Sequence, residues 1–348
     1  SLFFLSLTRK NGLRYIQIPT LRNKQLPEVM QLPKVKTIKN ITLMKKILVI
    51  INKNWETEPV LNALTNPKLR PAALPFPEVI NTPCDGDNRM SQPRAVFSLP
   101  REGEEPLQVV VRCIEDLMAT GVNTSSSLEK YKVLPQTIAA DAADLIISVS
   151  TANYPDPAAT HNGTVVLGGN FFIHDGNPDS HADPEHNLID DRVGTFIASS
   201  VAPAVFSLAE TVNARLHCYP GGACKLVPPP NFPAPQLVCE GASTFTAVGS
   251  VNVTDYGSYD TIDAQALKEF AAAAPEGYTA NSIETTHGVV KISTSGEPIL
   301  FLSPITDRLN HFNEDVTDTQ NYVSAFNGGL ALGELLCALA EYGGERQI

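Results

Sequence analysis

The segment Lys46-Ile-Leu-Val-Ile-Ile51 decides the fold, because it is a continuous run of aliphatic, largely β-branched residues. Runs of this kind are typical of a strand that is buried on both faces of a sheet. A polar turn at 52–54 follows the run, and residues 55–64 then predict a short helix. A strand, a turn and a helix in this order indicate the start of an α/β domain.

The rest of the chain continues this alternation after a Pro-, Asn-, Asp- and Gly-rich stretch at 66–106, which predicts a long loop. Further strands are predicted at 107–112, 145–150, 164–167, 170–174, 245–251 and 299–302. Helices are predicted at 134–143, 192–217, 263–274 and 319–342, and the proline-rich segment 219–235 is predicted to be a loop. We therefore expect a single three-layer α/β domain over 44–348, with a mixed central β-sheet flanked by helices.

The last predicted helix contains three glycines, Gly328, Gly329 and Gly333. Glycine lowers helix propensity, so it needs a compensating reason inside a helix. We expect another element of the fold to pack very close to the helix at these positions.

The charge of the chain is unevenly distributed. Residues 1–53 hold eleven basic residues and one acidic residue, which leaves 15 basic against 36 acidic residues in the remainder, a net charge of −21. An acidic body repels a phosphate backbone, so we expect no nucleic-acid partner. Residues 1–43 are interpreted as a basic N-terminal extension that precedes the domain.

The six cysteines are scattered and form no CxxC motif, which argues against a disulfide scaffold or a zinc ribbon. No uninterrupted run approaches the roughly 18 apolar residues of a membrane helix. The apolar start of the chain lacks the basic region and the cleavage site of a signal peptide. We therefore expect a cytoplasmic protein without a membrane partner.

The strongest chemical signal is a pair of carboxylates, Glu284 and Asp307. Asp307 is predicted to lie just past the strand 299–302, and ligands of α/β sheets bind at the carboxyl ends of strands. On the pattern alone, Asp307 is equally well explained as an aspartate that caps a helix or a turn.

Three segments of the domain resemble the nucleoside phosphorylase/nucleosidase superfamily, which includes purine nucleoside phosphorylases and methylthioadenosine/S-adenosylhomocysteine nucleosidases. The first is the opening strand with Trp55-Glu-Thr-Glu58, and the second is Asp144-Leu-Ile-Ile-Ser-Val-Ser-Thr151 with the later His174-Asp175. The third is the pair Ile283-Glu284 and Thr306-Asp307, which is similar to the Met-Glu and Ser-Asp pair of that superfamily. The resemblance implies a cofactor-free, homo-oligomeric enzyme that acts on a small-molecule nucleoside.

The resemblance also implies a role for each matching carboxylate. Glu284 would accept hydrogen bonds from the ribose hydroxyls. Asp307 would protonate N7 of a purine, which requires a raised pKa. Glu58, or the nearby Glu56, would orient or deprotonate the attacking water. The other predicted substrate-binding residues are Ile283, Thr285, His174, Asp175, Ser150 and Tyr256, and no metal site is predicted.

The chain departs from the phosphorylases in its phosphate-binding motifs. Their arginine and Gly-Thr-Cys-Gly motifs have no counterpart, and the nearest segments, 120–124 and 148–151, contain no arginine. Binding a phosphate dianion without arginine depends on hydroxyls and backbone N–H groups. Hydrolysis is therefore favoured over phosphorolysis, with phosphate kept as a possible co-substrate.

Two other functions stay open at this point. A nucleoside-binding module without catalysis would keep Glu284 but lack a productive acid and base. A metal-dependent hydrolase would use the loop His174–His186, which holds three imidazoles and four carboxylates within 13 residues. Two prolines and a glycine in that loop prevent a helix from setting the ligand spacing, so a polar loop is the favoured interpretation.

Overall fold

The computed structural model describes residues 44–66, 79–81, 92–158, 161–174, 192–216, 237–239, 242–246 and 256–342. Predictions for the extension 1–43, for Asp175, for the loop 219–235 and for residues 175–186 lie outside the described residues. The division of the chain at residue 43 stays a prediction.

The described strands form one mixed sheet. Their bounds are β1 Lys46–Ile51, β2 Val79–Asn81, β3 Ala95–Arg101, β4 Glu104–Cys113, β5 Leu145–Val149, β6 Ala152–Tyr154, β7 Val165–Gly168, β8 Asn170–His174, β9 Phe196–Ile197, β10 Leu237–Cys239, β11 Ala242–Thr246, β12 Ala280–Glu284 and β13 Ile299–Arg308. The order across the sheet is β2-β3-β4-β1-β5-β13-β6-β12-β11-β8-β9, and β7 joins β13 to β10.

The described helices lie on both faces of this sheet. Their bounds are α1 Asn54–Thr65, α2 Ile114–Leu117, α3 Ser127–Asp141, α4 Pro203–Phe206, α5 Leu208–Leu216, α6 Tyr256–Ala273, α7 His287–Ile292, α8 Phe312–Asp315 and α9 Asp318–Tyr342. The alternating side chains of β1 show the layering, because Ile47 and Val49 pack with α1, α5 and α9 whereas Leu48 and Ile50 pack with α2, α3 and α7. The predicted three-layer α/β architecture is confirmed.

Strand β13 joins the two halves of the sheet. Residues 299–302 pair in parallel with β5, and residues 305–308 pair in parallel with β6. On the other side, residues 301–304 pair antiparallel with β7. The prediction that the strand ends at residue 302 is therefore wrong, and Asp307 lies inside the strand near its carboxyl end. Pro304 and the polar residues that follow it hid this continuation.

Helix α9 packs very close to neighbouring elements at two of its glycines. A Cβ atom on Gly328 would lie 2.4 Å from Cγ of Pro304, and one on Gly329 would lie 2.7 Å from the carbonyl oxygen of Val60. Both distances are far below van der Waals contact. The prediction of close packing is confirmed at these two glycines, which let α9 approach β13 and α1.

The same helix is long and apolar enough to cross a bilayer, with a mean hydropathy of 1.5 in its most apolar window. This helix contains no uninterrupted apolar run of the length of a membrane span, because Asn327, Glu334 and the glycines interrupt it. The residues of that window are wholly buried inside the domain, as those of a central helix in a globular protein also are.

Two regions differ from their predicted structure. The segment 66–106, predicted to be loop, contains β2, β3 and the start of β4, which form an antiparallel extension of the sheet. The segment 192–217, predicted to be helical, starts with the short strand β9 and becomes helical only at Pro203. Prolines and glycines around 66–106 obscured strand residues that alternate between buried and exposed along β3.

Helix α3 begins seven residues earlier than the predicted start at 134. The hydroxyl of Ser126 accepts a hydrogen bond from the backbone N–H of Glu129 at 3.3 Å, which caps the helix. Pro135 would belong to the first turn of a helix that starts at 134, the position that proline favours, but it lies in the helix interior. This error concealed the buried face of α3, which includes Lys130.

We expect Gly329→Ala to lower the stability of the domain by about 1–3 kcal/mol, the usual cost of overpacking. The clash is with the backbone of Val60, which has little freedom to move because it belongs to α1. Thermal unfolding followed by circular dichroism measures the change, and Thr319→Ala, at an exposed position of the same helix, is the control. An unchanged melting temperature for Gly329→Ala would contradict this account of the packing.

Candidate active site

Three consecutive residues, 151–153, connect the three candidate carboxylates at the carboxyl ends of the central strands. Thr151 hydrogen-bonds Glu56, and Asn153 hydrogen-bonds Asp307. The backbone of Asn153 also pairs with Ile283, the residue before Glu284. The segment therefore links Glu56 to Glu284 and Asp307, which follow it by more than 200 positions in the sequence.

Glu56 lies in the first turn of α1 and is 1% exposed. One carboxylate oxygen accepts hydrogen bonds from the backbone N–H and the hydroxyl of Thr151 at 2.6 and 2.7 Å, and the other accepts one from the N–H of Lys53 at 2.8 Å. Burial raises the pKa of Glu56, and these hydrogen bonds oppose the shift. Glu58, in contrast, is exposed on the same helix. Of the two predicted alternatives, the structure brings Glu56 to the other acids and leaves Glu58 at the surface.

Asp307 is 2% exposed and has two side-chain donors. Thr306 Oγ1 donates to one oxygen at 2.6 Å, and Asn153 Nδ2 donates to the other at 2.8 Å. Burial raises the pKa of Asp307 to about 7, with contributions from the negative charges of Asp315 and Asp260. A carboxyl group with this pKa holds a proton in a substantial fraction of molecules near neutral pH.

Asp263 extends the group of acids around Asp307. It lies on α6 and is 8% exposed. Burial, and then the charges of Asp307 and Asp260, raise its pKa well above the ordinary value. Each ionised neighbour disfavours a further negative charge, so the group as a whole favours a protonated carboxyl beside β13.

Glu284 ends β12 and is held by the turn that follows it. Its carboxylate accepts hydrogen bonds from the backbone N–H groups of Thr286 and His287, the latter at 2.8 and 3.0 Å. These bonds fix the side chain, and a carboxylate offers only acceptor sites to a ligand. Glu284 is 6% exposed, so a bound ligand would meet it in a largely dry environment.

His287 is a structural residue of this turn. It is fully buried, with Nδ1 2.8 Å from Ser148 Oγ and Nε2 2.9 Å from Ser303 Oγ, and its ring stacks on Phe301. Burial, followed by the charge of Lys130, lowers its pKa well below the ordinary value. A neutral imidazole that is satisfied on both sides supports the β12–α7 turn and is not free for acid–base chemistry.

The remaining predicted site residues have different surroundings. Ser150 is buried, with its hydroxyl 3.5 Å from Glu56, and the backbone of Ile283 pairs with Asn153. Thr285 is half-buried beside Glu284. His174 ends β8, and its Nδ1 lies 2.7 Å from Oε2 of Glu269. Tyr256 is the first residue of α6.

Two lysines beside these acids were missed by the sequence analysis. Lys130 is fully buried, and its charge interacts with both Glu284 and Glu56. Lys53 precedes α1 and donates from Nζ to Thr124 Oγ1 at 2.6 Å and Ser125 Oγ at 3.3 Å. The regular spacing of the buried residues in α3, at 127, 130, 134, 138 and 141, was a signal that could have placed Lys130 inside.

Among the residues that the structure describes, no three His, Cys, Asp or Glu side chains are grouped so that they could hold a metal ion. The proposed metal-binding loop has only His174 within this part of the chain. The metal-dependent alternative therefore stays a prediction.

The fold is similar to that of solved nucleosidases. The structure of the 5′-methylthioadenosine/S-adenosylhomocysteine nucleosidase of Campylobacter jejuni matches 84% of this chain and 99% of its own length, with a TM-score of 0.50 and 13% identity. The nucleosidase of Colwellia psychrerythraea 34H, solved in complex with adenine, matches 85% of this chain and 96% of its own, with a TM-score of 0.50 and 11% identity.

This chain has the fold of those nucleosidases. That agreement confirms the fold implied by the resemblance of the three sequence segments. No protein-family model matches the sequence, and a search of curated protein sequences finds no significant relative.

The raised pKa of Asp307 predicts a pH-dependent loss of stability. Between its ordinary value of 3.8 and about 7, the folded protein retains a proton that the unfolded chain releases. The contribution of Asp307 to stability therefore falls as pH rises, by up to about 1.4 kcal/mol per pH unit, and levels off above pH 7. Asp307→Asn removes this titration, so we expect the variant to be more thermostable than the wild type at pH 8 and to lose that advantage towards pH 4.

Melting temperatures measured from pH 4 to 8 check this expectation. Glu276→Gln, which neutralises an exposed carboxylate, is the matched control and should change little. If Asp307→Asn is less stable than the wild type at pH 8 by as much as at pH 5, Asp307 is ionised in the fold and the assignment is wrong.

Proposed function

We propose that this protein cleaves the N-glycosidic bond of a purine nucleoside, with water as the attacking group. The observation that carries the proposal is the convergence of Glu56, Glu284 and Asp307 around the segment 151–153. The fold, which is that of nucleosidases including one solved with adenine, supports the same reaction class.

Asp307 is proposed as the acid that protonates the leaving base. A purine departs more readily when N7 is protonated, because the leaving group is then neutral. A carboxyl with a pKa near 7 retains its proton at neutral pH and is still able to give it up. The Oδ1 atom of Asn153 is buried beside it and has no hydrogen-bond partner among the described residues, so it can accept a bond from an N–H group of the base.

Glu284 and Glu56 are proposed to act on the sugar side. Glu284 is fixed by two backbone N–H groups and is almost completely buried, which suits a carboxylate that accepts hydrogen bonds from ribose hydroxyls. Glu56 is proposed to orient and deprotonate the attacking water. Water attacks the sugar carbon from the side opposite the departing purine. Glu56, which activates the water, and Asp307, which protonates the purine, should therefore lie on different sides of the sugar.

Phosphorolysis is the second candidate, and the two lysines favour it. Lys53 lies beside Glu56 and binds two hydroxyl side chains, and Lys130 supplies a second ammonium group nearby. Hydroxyls and ammonium groups bind phosphate, although the buried carboxylate of Glu56 repels it. Neither reaction requires a metal or an organic cofactor, and a homo-oligomer and a cytoplasmic location stay predictions from the sequence.

The decisive experiment incubates the protein with adenosine, inosine, guanosine and methylthioadenosine, with and without phosphate. We expect the free base and the corresponding free sugar (methylthioribose in the case of methylthioadenosine) to form without phosphate, and reverse-phase chromatography measures the base. Base together with ribose 1-phosphate, formed only when phosphate is present, would establish phosphorolysis. Tight nucleoside binding without any release of base would identify a non-catalytic binding module.

The role of Asp307 predicts the effect of its substitution and of pH. The Asp307→Asn variant cannot donate the proton, so we expect kcat to fall by about 10²–10⁴-fold while nucleoside binding is largely kept. For the wild type, kcat/KM should decline as pH rises through about 7, where Asp307 loses its proton. A variant that retains activity would refute this acid assignment.

The two neighbouring glutamates of α1 provide a matched pair of variants. Glu56→Gln removes the proposed base at a buried position, and we expect a loss of kcat of at least about 100-fold. Glu58→Gln makes the same chemical change two residues away at an exposed position and should leave kcat unchanged. Equal effects of the two substitutions on kcat would contradict the assignment of Glu56.

A further inference from the structure

Lys130 occupies a position where lysine is rarely found. It is fully buried, on the same stripe of α3 as Leu134 and Ile138, which pack in the core. Lysine is almost never fully buried unless it is paired, because the ammonium group loses its hydration. On the same helix, Lys132 is part-exposed and pairs with Glu129 at the surface, which is the ordinary arrangement.

The ammonium group of Lys130 holds the turn that carries Glu284. Its Nζ donates to Thr286 Oγ1 at 3.0 Å and to the carbonyl oxygen of Thr285 at 3.3 Å. The backbone N–H of Thr286 donates in turn to the carboxylate of Glu284. Lys130 and Glu284 therefore both hydrogen-bond Thr286, and α3 is linked through this turn to the carboxylate of Glu284.

The charges that face Lys130 come from several elements packed around it. Glu284 and Glu56 attract the ammonium group, Glu115 adds a weaker attraction, and Lys53 repels it. His287, whose own pKa is lowered by burial and then by the charge of Lys130, is a further titratable neighbour. In the opposite direction, the positive charge of Lys130 lowers the pKa of Glu56 and so opposes the effect of burial on that carboxylate.

We propose that Lys130 is a positioning residue of this site, which holds the turn at Glu284 in its binding geometry and favours the ionised form of Glu56. The proposal rests on the proposed function for its consequences in catalysis. A base that removes a proton from water must be ionised before it acts. The positive charge of Lys130 lowers the pKa of buried Glu56, and Lys53 also interacts electrostatically with that carboxylate.

Burial lowers the pKa of Lys130 itself to about 7. Below that pH the ammonium group is charged and supports the ionised carboxylates, and above it the support weakens. The neutral amine can still donate to Thr286, so the position of the turn depends less on pH than the charge of Glu56 does. The two roles of Lys130 can therefore be separated experimentally.

Two substitutions separate them. Lys130→Met keeps the length of the side chain but removes both the charge and the hydrogen bonds, so we expect kcat/KM to fall roughly ten- to hundredfold. The acidic limb of its pH profile, which is the decline at low pH as Glu56 gains a proton, should also move to higher pH. Thr286→Val removes the acceptor and keeps the charge, so we expect KM to rise while the acidic limb stays in place. Lys132→Met, at the surface of the same helix, is the control and should match the wild type.

A measurement on the free protein does not depend on catalysis. The pKa of Lys130 is read from the ¹³Cε resonance of its side chain, assigned through its own backbone, in the full-length protein. We expect a titration near pH 7 that moves to lower pH in Glu284→Gln and in Glu56→Gln, because each substitution removes a negative charge that favours the ammonium form. The exposed Glu58→Gln should leave it in place.

The outcomes distinguish this proposal from the proposed function. If the wild type releases no base from any nucleoside, the proposed function fails, and the Lys130 titration in the carboxylate variants still decides whether Lys130 is coupled to the two acids. If the wild type is active but Lys130→Met retains the pH profile and KM of Lys132→Met, the positioning role is overturned. A titration of Lys130 near pH 10, unaffected by Glu284→Gln and Glu56→Gln, would overturn it as well.

Discussion

The burial of strand β13 on both faces is the constraint on which the rest of the structure depends. Nine of its ten residues, 299–308, are buried, and the strand pairs with β5 and β7 along its first part and with β6 along its last part. A buried backbone must satisfy all of its N–H and C=O groups, so these partners hold the strand in one register. That register sets Asp307 beside Asn153, and the approach of α9 to Pro304 through Gly328 covers the strand on one side.

The candidate site holds titratable groups in buried positions, where their charged forms are unfavourable. Glu56 and Asp307 are almost completely buried, and the pKa of each is raised because an ionised carboxylate is poorly solvated there. Lys130 is subject to the same effect with the opposite sign, since burial lowers its pKa. Buried titratable groups that converge at the carboxyl ends of strands are more typical of a functional site than of a structural core. The stability that they cost is small compared with that of the surrounding apolar layers.

Much of the architecture and part of the site could be predicted from local patterns. The aliphatic run 46–51 and the alternation of strands and helices predicted the three layers, and the glycines of α9 predicted close packing. The resemblance singled out Glu284 and Asp307, but it left Glu56 and Glu58 undecided, since both lie in the first half of one helix. Lys130 lies outside the predicted helix 134–143, which starts beside Pro135, and a proline in a helix interior violates a preference that tertiary packing can override.

By itself, the sequence determined which segments are strands and helices wherever hydrophobic periodicity was regular, because burial on one or two faces leaves a direct trace in the order of residues. It also placed Asp307 near the carboxyl end of a strand, although it did not show that Glu284 and Asp307 belong to the strands themselves. Only the tertiary structure decided which acids meet, since the three residues 151–153 reach Glu56, Asp307 and the strand of Glu284 through hydrogen bonds between distant parts of the chain. The shifted pKa values likewise arise in the folded state alone, because desolvation and the charges of distant neighbours act only after the chain has folded around them.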